Sequence, residues 1–287
     1  MSTTSGTGAN VYFIDPESGS EMARLITQDK LITAAMGGLF SERTDLTSIS
    51  HILDLACGPG GWTLNVAQAY PHIEVVGVDI SQAMIEYAQA QAQVQRLQNV
   101  YFQVHNILQP LDFPAASFDL INARLIGFIK PDHWPILLRQ CHQLLRSGGV
   151  IRLTETETPI TTSAALQKMH VCFTRSLKAL GQSFSPDGEL VGNMPMLGRL
   201  LRNAGYQRVQ SKAHVIEWSS GTEAHEGFHQ NVMIGFKSMQ NFIVRAGMAS
   251  QEELDRLYEQ LLLDMQADDF CAVTLLLSVW GEMPAEP

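Results

Sequence analysis

Residues 53 to 63, Leu-Asp-Leu-Ala-Cys-Gly-Pro-Gly-Gly-Trp-Thr, set three glycines and a proline directly behind a short apolar run that begins at His51. A glycine-rich turn between a strand and a helix lets the backbone approach a bound nucleotide closely. A dinucleotide fingerprint needs a third glycine for helix–strand packing, and after Gly58 and Gly60 that position holds Thr63. A phosphate-cradling P-loop needs Gly-Lys-Ser/Thr, and no lysine stands in this turn. The turn is not built for pyrophosphate. Asp54 sits at the end of the preceding strand, and Asp79 closes the next apolar run, Glu-Val-Val-Gly-Val-Asp. A carboxylate at the tip of a second strand, about twenty residues past the turn, can accept both ribose hydroxyls of an adenosine, and it repels a 2′-phosphate.

Such a turn needs a sheet to hold it. Strand-like and helical segments alternate from Ser50 to about Ala204, the mark of an α/β fold with a parallel sheet covered on both faces. The pattern predicts strands at 51–55, 74–79, 100–105, 118–123 and 149–155, with helices near 61–70, 81–97 and 133–146. Ser147-Gly148-Gly149 reads as the stop of the last of these. A helix at 196–204 and strands near 206–217 and 270–280 complete a seven-stranded, mostly parallel sheet.

Three segments flank this alternation, 17–39, 160–182 and 222–268. In the last, Phe228, Val232, Met233, Phe236, Met239, Phe242, Ile243 and Ala246 form an apolar stripe, and a second helix opens with the capping box Ser250 and Glu253. Helices outside a sheet must cover something, and these are read as a cap over a pocket. The chain then divides into an N-terminal cap segment, 1–49, and a main domain, 50–287, carrying helical insertions at about 160–190 and 222–268.

The 287 residues are 45% hydrophobic and 17% charged, an ordinary globular composition. A formal net charge of −10 argues against nucleic acid, whose phosphates need clustered cations. No apolar run reaches the roughly 18 residues of a membrane span. The N-terminus has no basic start followed by an apolar stretch, so a cytoplasmic protein is expected. Cys57, Cys141, Cys172 and Cys271 are scattered without a C-x-x-C pair, which fits reduced thiols and gives no support to a metal site.

The run LDLACGPGGWTLNVAQAYPHIEVVGVDIS resembles the first two motifs of the class I S-adenosylmethionine-dependent methyltransferases. VHNILQPLDFPAASFDLINA resembles the third and fourth motifs, and LLRSGGVIRLTETE resembles the helix, turn and fifth strand that follow. The likeness covers about 50–217 and the last strand, and it is closest to methyltransferases of small molecules in secondary metabolism. It implies a Rossmann-like sheet, S-adenosylmethionine as methyl donor, S-adenosylhomocysteine as product and a small-molecule acceptor (EC 2.1.1).

The resemblance also implies roles. Asp54, Ala56, Gly58 and Gly60 would form the loop beneath the methionine part, Asp79 would hold the ribose, and Ile80 and Met84 would flank the adenine. Asn106 stands where the family usually has Asp, and its carbonyl oxygen can still accept a hydrogen from the adenine amino group, beside the backbone N–H of Ile107. Ala123 and Arg124 follow the fourth strand, where the backbone meets the ligand's amino group, and Arg124 could grip a carboxylate of the methionine part or of the acceptor. Tyr12 and Arg24 are contacts from the cap. Methyl transfer is an in-line displacement that needs alignment and, for an O or N acceptor, a base. His133, His170 and Glu155 are the candidates, with His225, His229 and Glu157 beside them. The alternative is a protein of the same fold that binds S-adenosylmethionine without methylating, as a regulator or a cyclase.

Overall fold

The computed structural model describes residues 12–43 and 45–284. Its central sheet runs in the order β3-β2-β1-β4-β5-β8, and β7 pairs with the outer edge of β8. The first five are parallel: β1 (His51–Leu55), β2 (Glu74–Asp79), β3 (Val100–Val104), β4 (Phe118–Arg124) and β5 (Leu145–Thr156). The strands β7 (Gln207–Glu217) and β8 (Ala272–Glu282) are antiparallel, which gives the seven long strands the sequence predicts.

Alternate residues of each strand feed opposite faces. Leu53, Leu55, Val76, Val78, Ile121 and Ile151 pack with α4 (Trp134–Leu144) and α6 (Leu197–Asn203). Ile52, Val75 and Leu120 pack on the other side with α2 (Gly61–Ala69) and α3 (Gln82–Val94). Both faces are therefore apolar, and the free end of the sheet is where polar chemistry can lie.

Two local expectations need correction. Residues 145–149 belong to β5, not to a helix stop: Leu145 pairs with Phe118, and a bulge between Phe118 and Leu120 takes up the extra residues around Gly148, whose φ is +74°. Residues 160 and 161 form an eighth, two-residue strand, β6 (Ile160–Thr161), rather than the first turn of a helix. They pair with Val273 and Ala272, and α5 (Ala164–Ala179) starts only where the Ser163 hydroxyl caps the N–H of Leu166 at 3.1 Å.

The flanking segments form α1 (Gly19–Ala35), α5, α7 (His225–Arg245) and α8 (Gln251–Gln266). The latter three share a core of Leu166, Met169, Phe236, Leu261 and Met265 with Trp218 and Phe270. The helix α1 is tied to α7 through Arg24, whose guanidinium reaches Asn231 Oδ1 at 3.4 Å. No helix among the described residues is long and apolar enough to cross a membrane.

One polar chain crosses the middle of the sheet. Asp54 Oδ2 accepts from the Thr63 hydroxyl at 2.6 Å, and its Oδ1 accepts from Asn122 Nδ2 at 2.7 Å. Asn122 Oδ1 accepts from Arg152 Nη1 at 2.8 Å, and the Arg152 guanidinium, 1% exposed, closes on the carboxylate of Glu42. Removing one partner of such a buried pair leaves an uncompensated charge, at a cost of about 3–5 kcal/mol. Arg152→Met is therefore expected to destabilise the fold by about that amount in urea unfolding. A loss under ~1 kcal/mol would mean that the network carries no structural weight.

Candidate active site

At the carboxyl ends of β1, β2, β4 and β5 lies a cavity of about 350 Å³, roofed by α1, α5 and α7. This is where an open α/β sheet takes its ligands. The turn after β1 enters it through residues that bend the backbone: Ala56 has φ +52° and Gly58 has φ +55°. Gly58 lines the cavity and donates its N–H to Asp79 Oδ2 at 2.8 Å. Asp79 Oδ1 accepts the N–H of Ser81 at 2.9 Å. Burial pushes the Asp79 carboxyl up from its usual range, while the N–H groups of Ser81, Gly58 and Ile80 oppose the shift.

Gly60 is absent from the cavity wall among the described residues. At φ +78° it caps α2, and a Cβ there would meet the Phe102 ring and Ala88 Cβ within 2.9 Å. Glycine is thus required by packing of the turn on α3 and β3. Asp54 does reach the wall, 4% exposed, and burial raises its carboxyl to about 6 against the influence of Arg124, Thr63 and Asn122.

Ile80, Met84, Asn106 and Ile107 all line the cavity. The Asn106 side chain accepts the N–H of Leu108 at 2.9 Å, which turns the chain after β3 across the mouth of β2. Ala123 lies beneath the wall in the core. Arg124 is in the wall, but its guanidinium is engaged: it donates to Asp29 on α1 and to Thr33 Oγ1 at 3.1 Å, 5.8 Å from the Trp62 ring. Its role in the structure is to fasten the cap helix to the sheet.

Tyr12 and Arg24 also line the cavity. Tyr12 donates to Glu21 Oε1 at 2.6 Å, and Arg24 grips both oxygens of the buried Glu21 at 2.6 and 2.8 Å. Part of the wall is apolar and aromatic, with Phe13, Phe128, Phe173, Phe236 and Met239.

The three candidates for a base fall in different places. His133 is not brought to the cavity. It precedes α4, where Trp134 and Pro135 start the helix, and it lines a separate small depression with Ile136, Leu137 and Gln140. His170 faces the cavity from α5 with its ring edge-to-face on Phe236, centroids 4.8 Å apart, and burial pushes its imidazole down to about 4. Glu155, 3% exposed at the end of β5, lines the cavity as well. Its Oε1 has no hydrogen-bond partner, and burial raises its carboxyl to about 8 while the nearby backbone N–H groups of Ile126 and Gly127 oppose the shift. Glu157 is spent on structure, accepting the N–H groups of Val191 at 2.7 Å and Gly192 at 2.9 Å. His225 and His229 stack on each other at 5.9 Å, outside the lining.

Several lining residues were not foreseen. Leu25, Gln28, Asp29 and Ile32 come from one stripe of α1, at the i, i+3, i+4 and i+7 spacing that marks a helix face. Asn231 and Gly235 come from α7, beside Val232 of the expected stripe, and His105 from the loop after β3. The stripe on α1 mixes polar and apolar residues, so hydrophobic periodicity alone passes over it.

The family profile described as a methyltransferase domain matches residues 52–149. Demethylmenaquinone methyltransferase of Lactococcus lactis is 30% identical over 184 residues, which cover 59% of this chain and 70% of that protein. Among solved structures, phosphoethanolamine N-methyltransferase 2 of Haemonchus contortus, in complex with phosphomonomethylethanolamine and S-adenosylhomocysteine, aligns with a TM-score of 0.57 at 17% identity, over 96% of this chain and 61% of that one. The cyclase SpnF aligns with a TM-score of 0.51 at 17% identity, over 95% of this chain and 98% of its own. At such identities the two structures speak for the fold alone. The Lactococcus relative carries the likeness into sequence, and the family profile spans the glycine turn and Asp79: the chain belongs to the class I S-adenosylmethionine-dependent methyltransferases.

Proposed function

We propose that this protein transfers the methyl group of S-adenosylmethionine to a small, largely apolar acceptor held under the cap. The observation that carries this reading is the continuity of the cavity: one space of about 350 Å³ is lined both by the glycine turn and Asp79 and by Phe13, Phe128, Phe173 and Phe236. The name of the Lactococcus protein, demethylmenaquinone methyltransferase, supports a small-molecule acceptor.

The lining fits the donor. Each oxygen of Asp79 already accepts one backbone N–H and retains a lone pair for a ribose hydroxyl. Ala56 and Gly58 present backbone beneath the place of the methionine part, and Ile80 and Met84 offer apolar surface for the adenine beside Asn106 and Ile107. Bound there, S-adenosylmethionine supplies an electrophilic methyl group on a positively charged sulfur. What the chain must add is alignment of the acceptor and exclusion of water. The aromatic part of the wall provides the shape, and α1, α5 and α7 provide the roof.

The N-terminal segment and the insertions at about 160–190 and 222–268 act, in this reading, as the cap that selects the acceptor. Tight binding of S-adenosylmethionine without S-adenosylhomocysteine production or a methylated product, across panels of apolar hydroxyl, amine and carbon acceptors, would favour the regulator or cyclase reading.

Asp79→Ala is expected to weaken S-adenosylhomocysteine binding about a hundredfold or more in calorimetry, because two charge-assisted hydrogen bonds of about 1.5–3 kcal/mol each are lost. Asp79→Asn, which keeps an acceptor for the turn, separates ribose binding from turn geometry. Unchanged affinity in folded Asp79→Ala would remove Asp79 from the site.

The cap should also respond to the ligand. Hydrogen exchange is expected to slow in 19–35 and 225–245 when S-adenosylhomocysteine is added, since Leu25, Asp29 and Phe236 share the cavity with the turn. Slowing confined to residues 56–61 would make these helices structural only.

A further inference from the structure

The charged groups of the cavity wall do not balance. Arg24 is taken up by Glu21 and Arg124 by Asp29, and the described lining contains no lysine. Asp54, Asp79 and Glu155 remain as carboxyls without an ion-pair partner of their own. Asp54 and Asp79 are nonetheless well hydrogen-bonded. Glu155 alone has an oxygen, Oε1, that is buried and receives nothing. Two strand spacings, about 10 Å, separate β1, with the turn that follows it, from β5, because β4 lies between them.

We infer that Glu155 is the residue by which this site tells a positively charged occupant from a neutral one: it gives up its proton when the sulfonium form of the ligand enters and takes one back when only the neutral thioether remains. The inference rests on reading the cavity as a site for S-adenosylmethionine. Its basis is geometric. A carboxyl at the end of β5 opens onto the same cavity as the glycine turn, and its neighbours offer it no cation.

The groups around it are consistent with this. From just beyond the end of β5, Glu157 repels a charge on Glu155, while the backbone N–H groups of Ile126 and Gly127, after β4, favour one. From α5, His170 is held neutral by burial; the Arg24–Glu21 pair on α1 and the pair of Arg124 on β4 with Asp29 on α1 are internally neutral. Burial outweighs the two N–H groups, so the carboxyl titrates at about 8. At neutral pH it is largely protonated in the ligand-free cavity. A positive charge nearby favours the carboxylate. Binding of the sulfonium ligand then expels the proton to solvent. After the methyl group has left, the carboxylate regains a proton from the methylated acceptor or from water, and the product loses the attraction that held the donor. The site would thereby bind donor in preference to product, with the preference set by pH.

Glu155→Gln preserves the shape and the acceptor for the two backbone N–H groups. It also removes a group whose carboxyl is raised from 4.5 to about 8 by folding, so that stability in the parent falls as pH rises through that window. The variant is therefore expected to fold at least as stably as the parent at pH near 8.5. The test is calorimetric, with S-adenosylmethionine and S-adenosylhomocysteine as probes, between about pH 6.5 and 8.5. In the parent, the affinity for S-adenosylmethionine should rise relative to that for S-adenosylhomocysteine by about tenfold across this range. In Glu155→Gln the ratio should be flat and lower at the alkaline end. Titration of the ligands' own groups, and of Asp54 at about 6, is common to both proteins and drops out of the comparison. A ratio that follows pH identically in parent and variant overturns the inference. On the parent alone, binding near pH 7 in two buffers of different ionisation enthalpy should show more proton release with S-adenosylmethionine than with S-adenosylhomocysteine, and equal release overturns it too. If neither ligand binds the parent, the reading of the cavity falls, and this inference with it.

Discussion

A carboxylate in the central strand of a parallel sheet has to be solvated by the protein itself. Asp54 is in that position, and much of the architecture around the site follows from it. Its two oxygens are satisfied by Thr63 from the first turn of α2 and by Asn122 from the adjacent strand β4. Asn122 is in turn held by Arg152 of β5, and Arg152 by Glu42 of the segment that leads into β1. The chain therefore ties three neighbouring strands and the start of α2 into a fixed register directly below the glycine turn. An apolar core alone would not specify that register so narrowly. Thr63 has a definite use here: it occupies the position of the third glycine in a dinucleotide fingerprint and supplies the hydroxyl that keeps Asp54 in place.

The helix α1 is attached to this frame by charge. Asp29 lies against Gly61, where a Cβ would collide with its carboxylate, and it pairs with Arg124 at the end of β4. An acidic group at the start of α2 complements the helix dipole, and the same carboxylate neutralises the arginine. Glycine at position 61 is thus needed for the approach of α1, whereas glycine at position 60 is needed for the approach of Phe102. Two adjacent glycines answer to two different neighbours, one in the cap and one in the sheet.

The strands β1 and β2 are legible in the sequence to the residue because their apolar runs are bounded by a glycine turn and by Asp79. Periodicity also finds every cap helix, though not what each one faces. The stripe on α7 divides: Val232, Phe236 and Met239 line the cavity, whereas Phe242 and Ile243 pack with Leu177 and Leu254. Arg124 looks like a free ligand for a carboxylate because its partner, Asp29, stands 95 residues away and no local pattern announces it. His133 looks well placed because it opens a helix after β4, yet the direction of its side chain depends on how Trp134 is buried. Long-range pairing and side-chain direction are the two things that a linear pattern does not encode.

The same distinction bears on which groups could take part in chemistry. His170 is an imidazole in an aromatic wall with its titration pushed far down, so it offers a neutral acceptor of hydrogen bonds and little basicity. Glu155 is the opposite case, a carboxyl raised toward neutrality by the same physical cause, burial. Desolvation disfavours the charged form of each, which is the anion of one and the cation of the other, and so it moves them in opposite directions. An empty, largely apolar cavity therefore tends to hold both groups uncharged. A cationic ligand changes that balance asymmetrically: it opposes protonation of the histidine and favours ionisation of the glutamic acid. The further negative charge that answers such a ligand, beyond that of Asp54 and Asp79, is thus drawn from the carboxyl at the end of β5, and the imidazole stays neutral.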